Sequence, residues 1–229
     1  MKPTQDRETS WTIIESAARG SAEARERFAE LYGAAVKAYF CKRWEGSPRI
    51  SSVEDAVQEV FVACFKPGGV LDRVDRNRAG GFRAYFYGAA RKTALHLERA
   101  LDQNEKHHTA SDFDTDRMRA DEASLSQVFD RAWAQSIVQE AVFLYRERAQ
   151  GMGGREMQRV EILRLRFDEE LPVREIAAQL GLAPELVHKE YARARRGYRA
   201  VLEDVVAAHY PYSGEDLEER CREVMRLLG

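Results

Sequence analysis

Arg83, Tyr87 and Arg91 follow one another at steps of four, with Lys92, His96 and Arg99 beside them, so a helix through these positions carries cations and a ring along one side. Cationic side chains track phosphates while aromatic rings stack on unpaired bases, a combination suited to single-stranded nucleic acid and worth roughly 1 to 3 kcal/mol per stacked base. A second basic set lies between 185 and 199, where Lys189, Arg193, Arg195, Arg196 and Arg199 outnumber Glu185 and Glu190. The third set is acidic: Asp55, Gln58 and Glu59 share one side of a helix and could meet a basic protein surface, although periodicity alone also allows a plain solvated face. No comparable set points to catalysis. His107-His108 near Asp112 and Asp114 lack a recognised ligand spacing, and no His-Glu-x-x-His, paired-cysteine or phosphate-loop motif occurs. The expectation is a non-enzyme with no metal and no cofactor.

The elements that must position these residues are helices. Phe28, Leu31, Tyr32, Ala35, Val36, Tyr39 and Phe40 recur at three and four, which predicts a helix over about 22–44 behind a short one over 11–18. Val53, Ala56, Val57, Val60, Phe61, Cys64 and Phe65 predict the next, with Ser52 as its cap and Asp55 as the acidic partner of a capping box. Lys66-Pro67-Gly68-Gly69 ends it, and Phe82, Tyr85, Phe86, Ala89, Ala90, Thr93, Ala94, Leu97 and Leu101 stripe a third long helix. The stretch 102–122 then loses its apolar period and carries seven acids against three bases, which reads as an acidic, partly disordered linker. Helical spacing resumes with Val128 or Phe129, then Trp133, Ile137, Ala141, Leu144 and Tyr145. It breaks at Gly151 to Gly154, a connector, and continues in short helices to about 202. A final amphipathic segment, with Ser213 as N-cap and Leu217, Cys221, Val224 and Leu228 on one face, is expected to pack on the second domain. The fold class expected is all-α: two small helical domains, 1–101 and 125–206, joined by the acidic flexible linker 102–124 and followed by an extension, 207–229.

The chain has 229 residues and a formal charge of −2, with 44% hydrophobic residues, enough for ordinary cores. No apolar run approaches the roughly 20 residues that cross a bilayer, and no signal-type stretch follows the polar start, so a cytoplasmic protein without membrane insertion is expected. Cys41, Cys64 and Cys221 are odd in number and far apart, which predicts buried thiols instead of disulfides or a zinc site.

Between 172 and 200 the order is helix, tight turn, helix. Ala177 is small where two helices must approach, Gly181 stands where the turn needs positive φ, and Val187 is the apolar anchor of the second helix, which begins at Pro184. This spacing is the signature of a DNA-binding helix-turn-helix, whose second helix enters the major groove. Glu185, His188 and Lys189 face outward near its start, where base edges are met, and Arg193, Arg195 and Arg196 follow.

The run Val53-Glu54-Asp55-Ala56-Val57-Gln58-Glu59-Val60-Phe61, followed by Gly81-Phe82-Arg83-Ala84-Tyr85-Phe86-Tyr87-Gly88-Ala89-Ala90-Arg91, resembles the second conserved region of bacterial sigma factors. Val173 to Leu182, through Val187 to Arg195, resembles their fourth region. The two in this order, without an intervening third region, are similar to the small extracytoplasmic-function group. The resemblance spans about residues 10–205 and implies a dissociable specificity subunit of RNA polymerase. It implies that Asp55, Gln58 and Glu59 dock on polymerase core. It also implies that Arg83, Tyr87, Arg91 and Lys92, with Arg73 and Arg76 of the preceding loop, hold melted bases of the minus-10 element. Glu185, His188, Lys189, Arg193, Arg195 and Arg196 would read the minus-35 element as duplex. Promoter DNA, duplex and melted, and core polymerase are the implied partners, and an anti-sigma protein is a further partner the resemblance allows. The chain departs from the family at Tyr85-Phe86, where Trp-Leu is common, at Lys92, where Asn is usual, and at Glu190, a commonly basic position. A helix-turn-helix regulator with an N-terminal sensory or interaction domain is the alternative, and it differs by binding duplex alone without polymerase core.

Overall fold

The computed structural model describes residues 10–75, 81–106, 122–210 and 217–228. Among them the regular structure is entirely helical, as the apolar spacing predicts: α1 (Ser10–Ala18), α2 (Ala22–Arg43), α3 (Val53–Phe65), α4 (Gly81–Lys106), α5 (Glu122–Met152), α6 (Gly154–Phe167), α7 (Val173–Leu180), α8 (Pro184–His209) and α9 (Leu217–Leu228). None of these helices is long and apolar enough to cross a membrane. The described residues fall into two compact units. One holds the chain to Ser136 with 208–210 and 222–228; the other holds 137–207 with 217–221.

In the first unit α2 is the central rod. Ser21 Oγ caps it by accepting the Ala24 N–H at 3.2 Å, and the whole predicted stripe from Phe28 to Phe40 is buried. Arg25 ties three helices together by donating from Nε to the Ala17 carbonyl at 3.1 Å and from Nη2 to the Phe65 carbonyl at 3.0 Å. The Phe28 ring meets Tyr32, Phe86 and Phe82 edge-on at centroid separations of 4.6, 5.5 and 5.9 Å, the geometry that brings the positive rim of one ring to the negative face of another.

At the start of α3 the expected capping box is not formed. A 3-10 turn over Pro48–Ser52 runs directly into Val53, so Ser52 has ψ near 13° in place of the extended backbone of a capping residue, and its side chain makes no cap hydrogen bond. Ser47 caps the 3-10 turn instead, its Oγ accepting the Arg49 N–H at 3.2 Å. After α3 the chain reverses at Gly69. A Cβ there would lie 2.5 Å from the Lys66 carbonyl oxygen and 2.6 Å from that of Ala63, so only glycine fits.

The fourth wall of this core comes from α5. Leu125, Phe129 and Trp133 are buried in the first unit, Trp133 stacking on Tyr32 with centroids 4.7 Å apart and Phe129 meeting the Tyr87 ring at 5.3 Å. The second domain expected from the sequence begins at 125 and includes these residues. Their aromatic surface instead fills the space left between α2 and α4. Of the expected linker, 102–106 continue α4 and 122–124 open α5, while 107–121 lie outside the described residues, as do His107, His108, Asp112 and Asp114. The C-terminal extension also differs from expectation. Val224 is buried and 222–228 group with the first unit, whereas Leu217 is exposed; the proposed cap Ser213 lies outside the described residues. All three tryptophans, Trp11, Trp44 and Trp133, are buried in this unit.

The second unit packs α6, α7 and the start of α8 around Ile162, Leu165, Ile176, Ala177 and Val187. Further along, the Tyr145 ring of α5 lies against Gly197 of α8, where a Cβ would be only 3.1 Å from the ring, and Arg148 pairs with Asp204 at 2.9 Å. The cysteines are free, but only Cys64 is buried, which pushes its thiol up to about 12. Cys221 is half-buried, and Cys41, expected inside, is exposed because its neighbours Tyr39 and Phe40 take the inner face of α2.

Across α2 and α4, Glu98 accepts hydrogen bonds from Arg43 Nε at 2.7 Å, Arg43 Nη2 at 2.8 Å and Trp44 Nε1 at 2.9 Å. Burial pushes this carboxyl up, but the bonds from Arg43 and Trp44 outweigh it and hold it below its ordinary 4.5. A carboxylate with a depressed folded value contributes fully above its unfolded value and loses that contribution as pH falls through the folded one. Glu98→Gln is therefore expected to cost about 1 to 3 kcal/mol in urea unfolding near neutral pH. Its deficit against the parent should close as pH falls below 4.5; a pH-independent deficit would contradict the assigned ion pair.

Candidate nucleic-acid interface

The helix-turn-helix is built as its spacing demands. Gly181 ends α7 in the left-handed conformation with φ 65°, and the Leu182 N–H donates to the Ala177 carbonyl at 2.9 Å, the bond that closes a glycine-capped helix end. Ala177 and Val187 are buried together with Ile162 and Leu165 of α6, which fixes α8 against α7. With that side committed to the core, Glu185, His188, Lys189, Arg195 and Arg196 are exposed on the other. Arg195 lies over the Tyr191 ring, 5.8 Å from its centroid. Arg193 is half-buried, and Arg199 is occupied by Glu203 at 2.8 Å and Glu218 at 3.2 Å.

Glu190, which departs from the commonly basic residue at its position in the resemblance, is turned inward and only 3% exposed. Its carboxylate accepts from Arg159 Nε of α6 at 2.6 Å and from Arg193 Nη1 at 2.5 Å, and Arg159 also pairs with Glu156. The hydrogen bond from Arg159, ahead of the opposing effect of burial, holds the Glu190 carboxyl below its ordinary range. An acid at this place clamps α8 to α6 and holds the guanidinium of Arg193. Sequence reasoning missed the role because Arg159 stands 31 residues away with no motif linking the two.

In the first unit, Asp55, Gln58 and Glu59 are all exposed on the side of α3 opposite buried Ala56, Val60 and Cys64. Next to Gln58 runs an open apolar groove of about 490 Å³ lined by Ala29, Phe61, Val62 and Phe65, with Val62 57% exposed. Phe61 and Phe65 belong to the apolar stripe expected to be core, and Val62 stands outside that stripe. A second recess, about 480 Å³, lies between α1 and the loop after α3, lined by Trp11, Glu15, Arg19, Leu71 and Asp72. That loop is held by Asp72 Oδ2, which accepts the Gly68 N–H at 2.6 Å, and by Tyr85, whose hydroxyl donates to the Val70 carbonyl at 2.8 Å. Arg73 of the loop is exposed, and Arg76 lies outside the described residues.

Along α4 the structure does bring Arg83, Tyr87 and Arg91 to one face, but that face is not open. Arg83 is half-buried between Asp130 of α5 at 3.6 Å and Glu223 of α9 at 3.5 Å. The Tyr87 hydroxyl donates to Glu122 Oε2 at 3.2 Å, and burial, then the Glu122 charge, push it up to about 12. Arg91 donates from Nε to Glu122 Oε1 at 3.0 Å, and Lys92 is exposed beside it. The reason for the difference is the seating of Phe129 and Trp133, which carries Glu122 and Asp130 onto α4. Among the described residues no group of His, Cys, Asp and Glu could hold a metal ion. No protein-family model matches the chain, and a search of curated proteins finds no match.

Glu190→Ala leaves Arg159 and Arg193 without their shared carboxylate and is expected to cost about 2 kcal/mol in urea unfolding. Glu185→Ala, on the exposed side of the same turn, is expected to change stability by less than about 0.5 kcal/mol. Equal effects of the two would refute the inward clamp.

Proposed function

We propose that this protein is a sigma factor of the extracytoplasmic-function type, a dissociable subunit that directs RNA polymerase to promoters and helps melt them. The observation that carries this reading is a pairing of surfaces. A glycine-capped helix-turn-helix with Lys189, Arg195 and Arg196 exposed stands in the same chain as a helix placing Arg83, Tyr87 and Arg91 on one face, behind an exposed Asp55, Gln58 and Glu59. The division of labour is physically sensible. A rigid rod suits a major groove, and rings among cations suit bases that have left the stack.

In this reading Asp55, Gln58 and Glu59 engage a basic helical surface of core polymerase, and the apolar groove beside Gln58 adds a contact for an aliphatic side chain. Lys92 and Arg73, with the α4 face, hold the melted minus-10 strand. His188, Lys189, Arg195 and Arg196 meet the minus-35 duplex, with Arg193 held at the edge of that surface. No catalytic group of its own and no cofactor are needed, since polymerase supplies the chemistry, and the site of action is the cytoplasm.

Core-dependent run-off transcription on a promoter library tests the reading directly: transcripts that require both core and this chain are expected, and the absence of both core binding and initiation would overturn it. Within that assay, Asp55→Lys with Glu59→Lys is expected to weaken core binding roughly ten-fold or more through like-charge contact. Duplex binding by the full chain should be unchanged. Undiminished core affinity would remove α3 as the docking face.

A further inference from the structure

Resting on the reading above, we propose that Glu122 of α5 and Glu223 of α9 form an acidic clasp that occupies the single-strand-binding face of α4 in the free protein and must be displaced before a melted strand can bind. The clasp is read from where the partners come from and how they are held. Among the described residues of the first unit, exposed ion pairs such as Arg27–Glu30 and Lys42–Glu45 lie within one helical turn, and Lys37–Glu54 joins α2 to α3. Both arginines of the Arg83, Tyr87 and Arg91 row meet acids from other helices: Arg91 and Tyr87 meet Glu122 across 31 and 35 residues, and Arg83 meets Asp130 and Glu223.

The contacts also differ in quality from the ion pair that organises the same unit. Arg43 and Glu98 make two direct bonds at 2.7 and 2.8 Å, whereas Arg83 stands 3.5 and 3.6 Å from its carboxylates, beyond direct hydrogen-bond length for a charged pair. Two carboxylates on one guanidinium are poorly matched. Burial pushes Asp130 up from its ordinary 3.8, and Glu223 works against the help that Arg83 provides. Glu122 is half exposed and serves Arg91, Tyr87 and, at 3.7 Å, Arg43. Carboxylates that stand off Arg83 at ion-pair distance, and a half-exposed one on Arg91, are what phosphates can replace, because strand binding restores the charge contacts and releases counterions besides.

The test uses the full chain with Glu122→Gln and Glu223→Gln, isosteric changes at accessible positions, and a fluorescein-labelled oligo-dT of about 20 nucleotides as probe. At about 50 mM salt the double variant is expected to bind the strand roughly ten-fold tighter than the parent. Its log-log salt dependence should be steeper by about 1.4, the share of two freed cations on a single strand. Adding Arg83→Ala and Arg91→Ala should abolish the gain. Unchanged affinity overturns the clasp, and so does an equal gain from Glu26→Gln with Glu147→Gln, which removes the same charge from other surfaces. Should the double variant melt early by circular dichroism, Glu223→Gln alone carries the same comparison. Core polymerase pull-down run alongside separates the two levels: a parent that binds core while its variant gains no strand affinity overturns the clasp alone, and a parent that binds no core overturns the sigma reading itself.

Discussion

The stacking of Trp133 on Tyr32, centroids 4.7 Å apart, is the contact on which the first unit depends. Tyr32 stands in the middle of α2, between the rings of Phe82 and Phe86, and these aromatic residues leave a gap that α2, α3 and α4 cannot close among themselves. Trp133 and Phe129 fill it. Because a helix is rigid over two turns, seating these rings also decides where Glu122 and Asp130 lie, and the acids arrive on the cations of α4 as a consequence of apolar packing.

Much of the helical architecture was legible in the amino-acid order. The α2 stripe is buried residue for residue, and the helix-turn-helix follows from Ala177, Gly181 and Val187, because a short turn leaves few ways to satisfy its backbone. What was not legible depends on partners remote in sequence. Helical period marks Phe129 and Trp133 as buried but cannot say in which core, so the expected boundary at 125 fell short of the observed division at 136. The acid at 190 has the same periodic position whether it faces a groove or Arg159. Ser52 looks like a cap until Pro48 starts a 3-10 turn one step earlier.

The formal charge of −2 conceals two ways of using carboxylates. Glu98 and Glu190 are enclosed, each fixed by an arginine from another helix, and removing either leaves an arginine without its shared partner. The acids at 55 and 59 are exposed, where their charge acts on whatever approaches and contributes little to folding. The near-neutral total is therefore compatible with nucleic-acid binding, since on the exposed face of α8 the cations Lys189, Arg195 and Arg196 outnumber the one acid, Glu185.

The three tryptophans all lie inside the first unit, Trp44 donating to Glu98 and Trp133 stacked on Tyr32, while the second unit carries tyrosines such as Tyr145, Tyr191 and Tyr198. Intrinsic indole emission is thus a private optical channel for one half of the chain. Helical ellipticity sums over both halves, so any gap between the two denaturation curves measures how independently the halves melt, with no label attached.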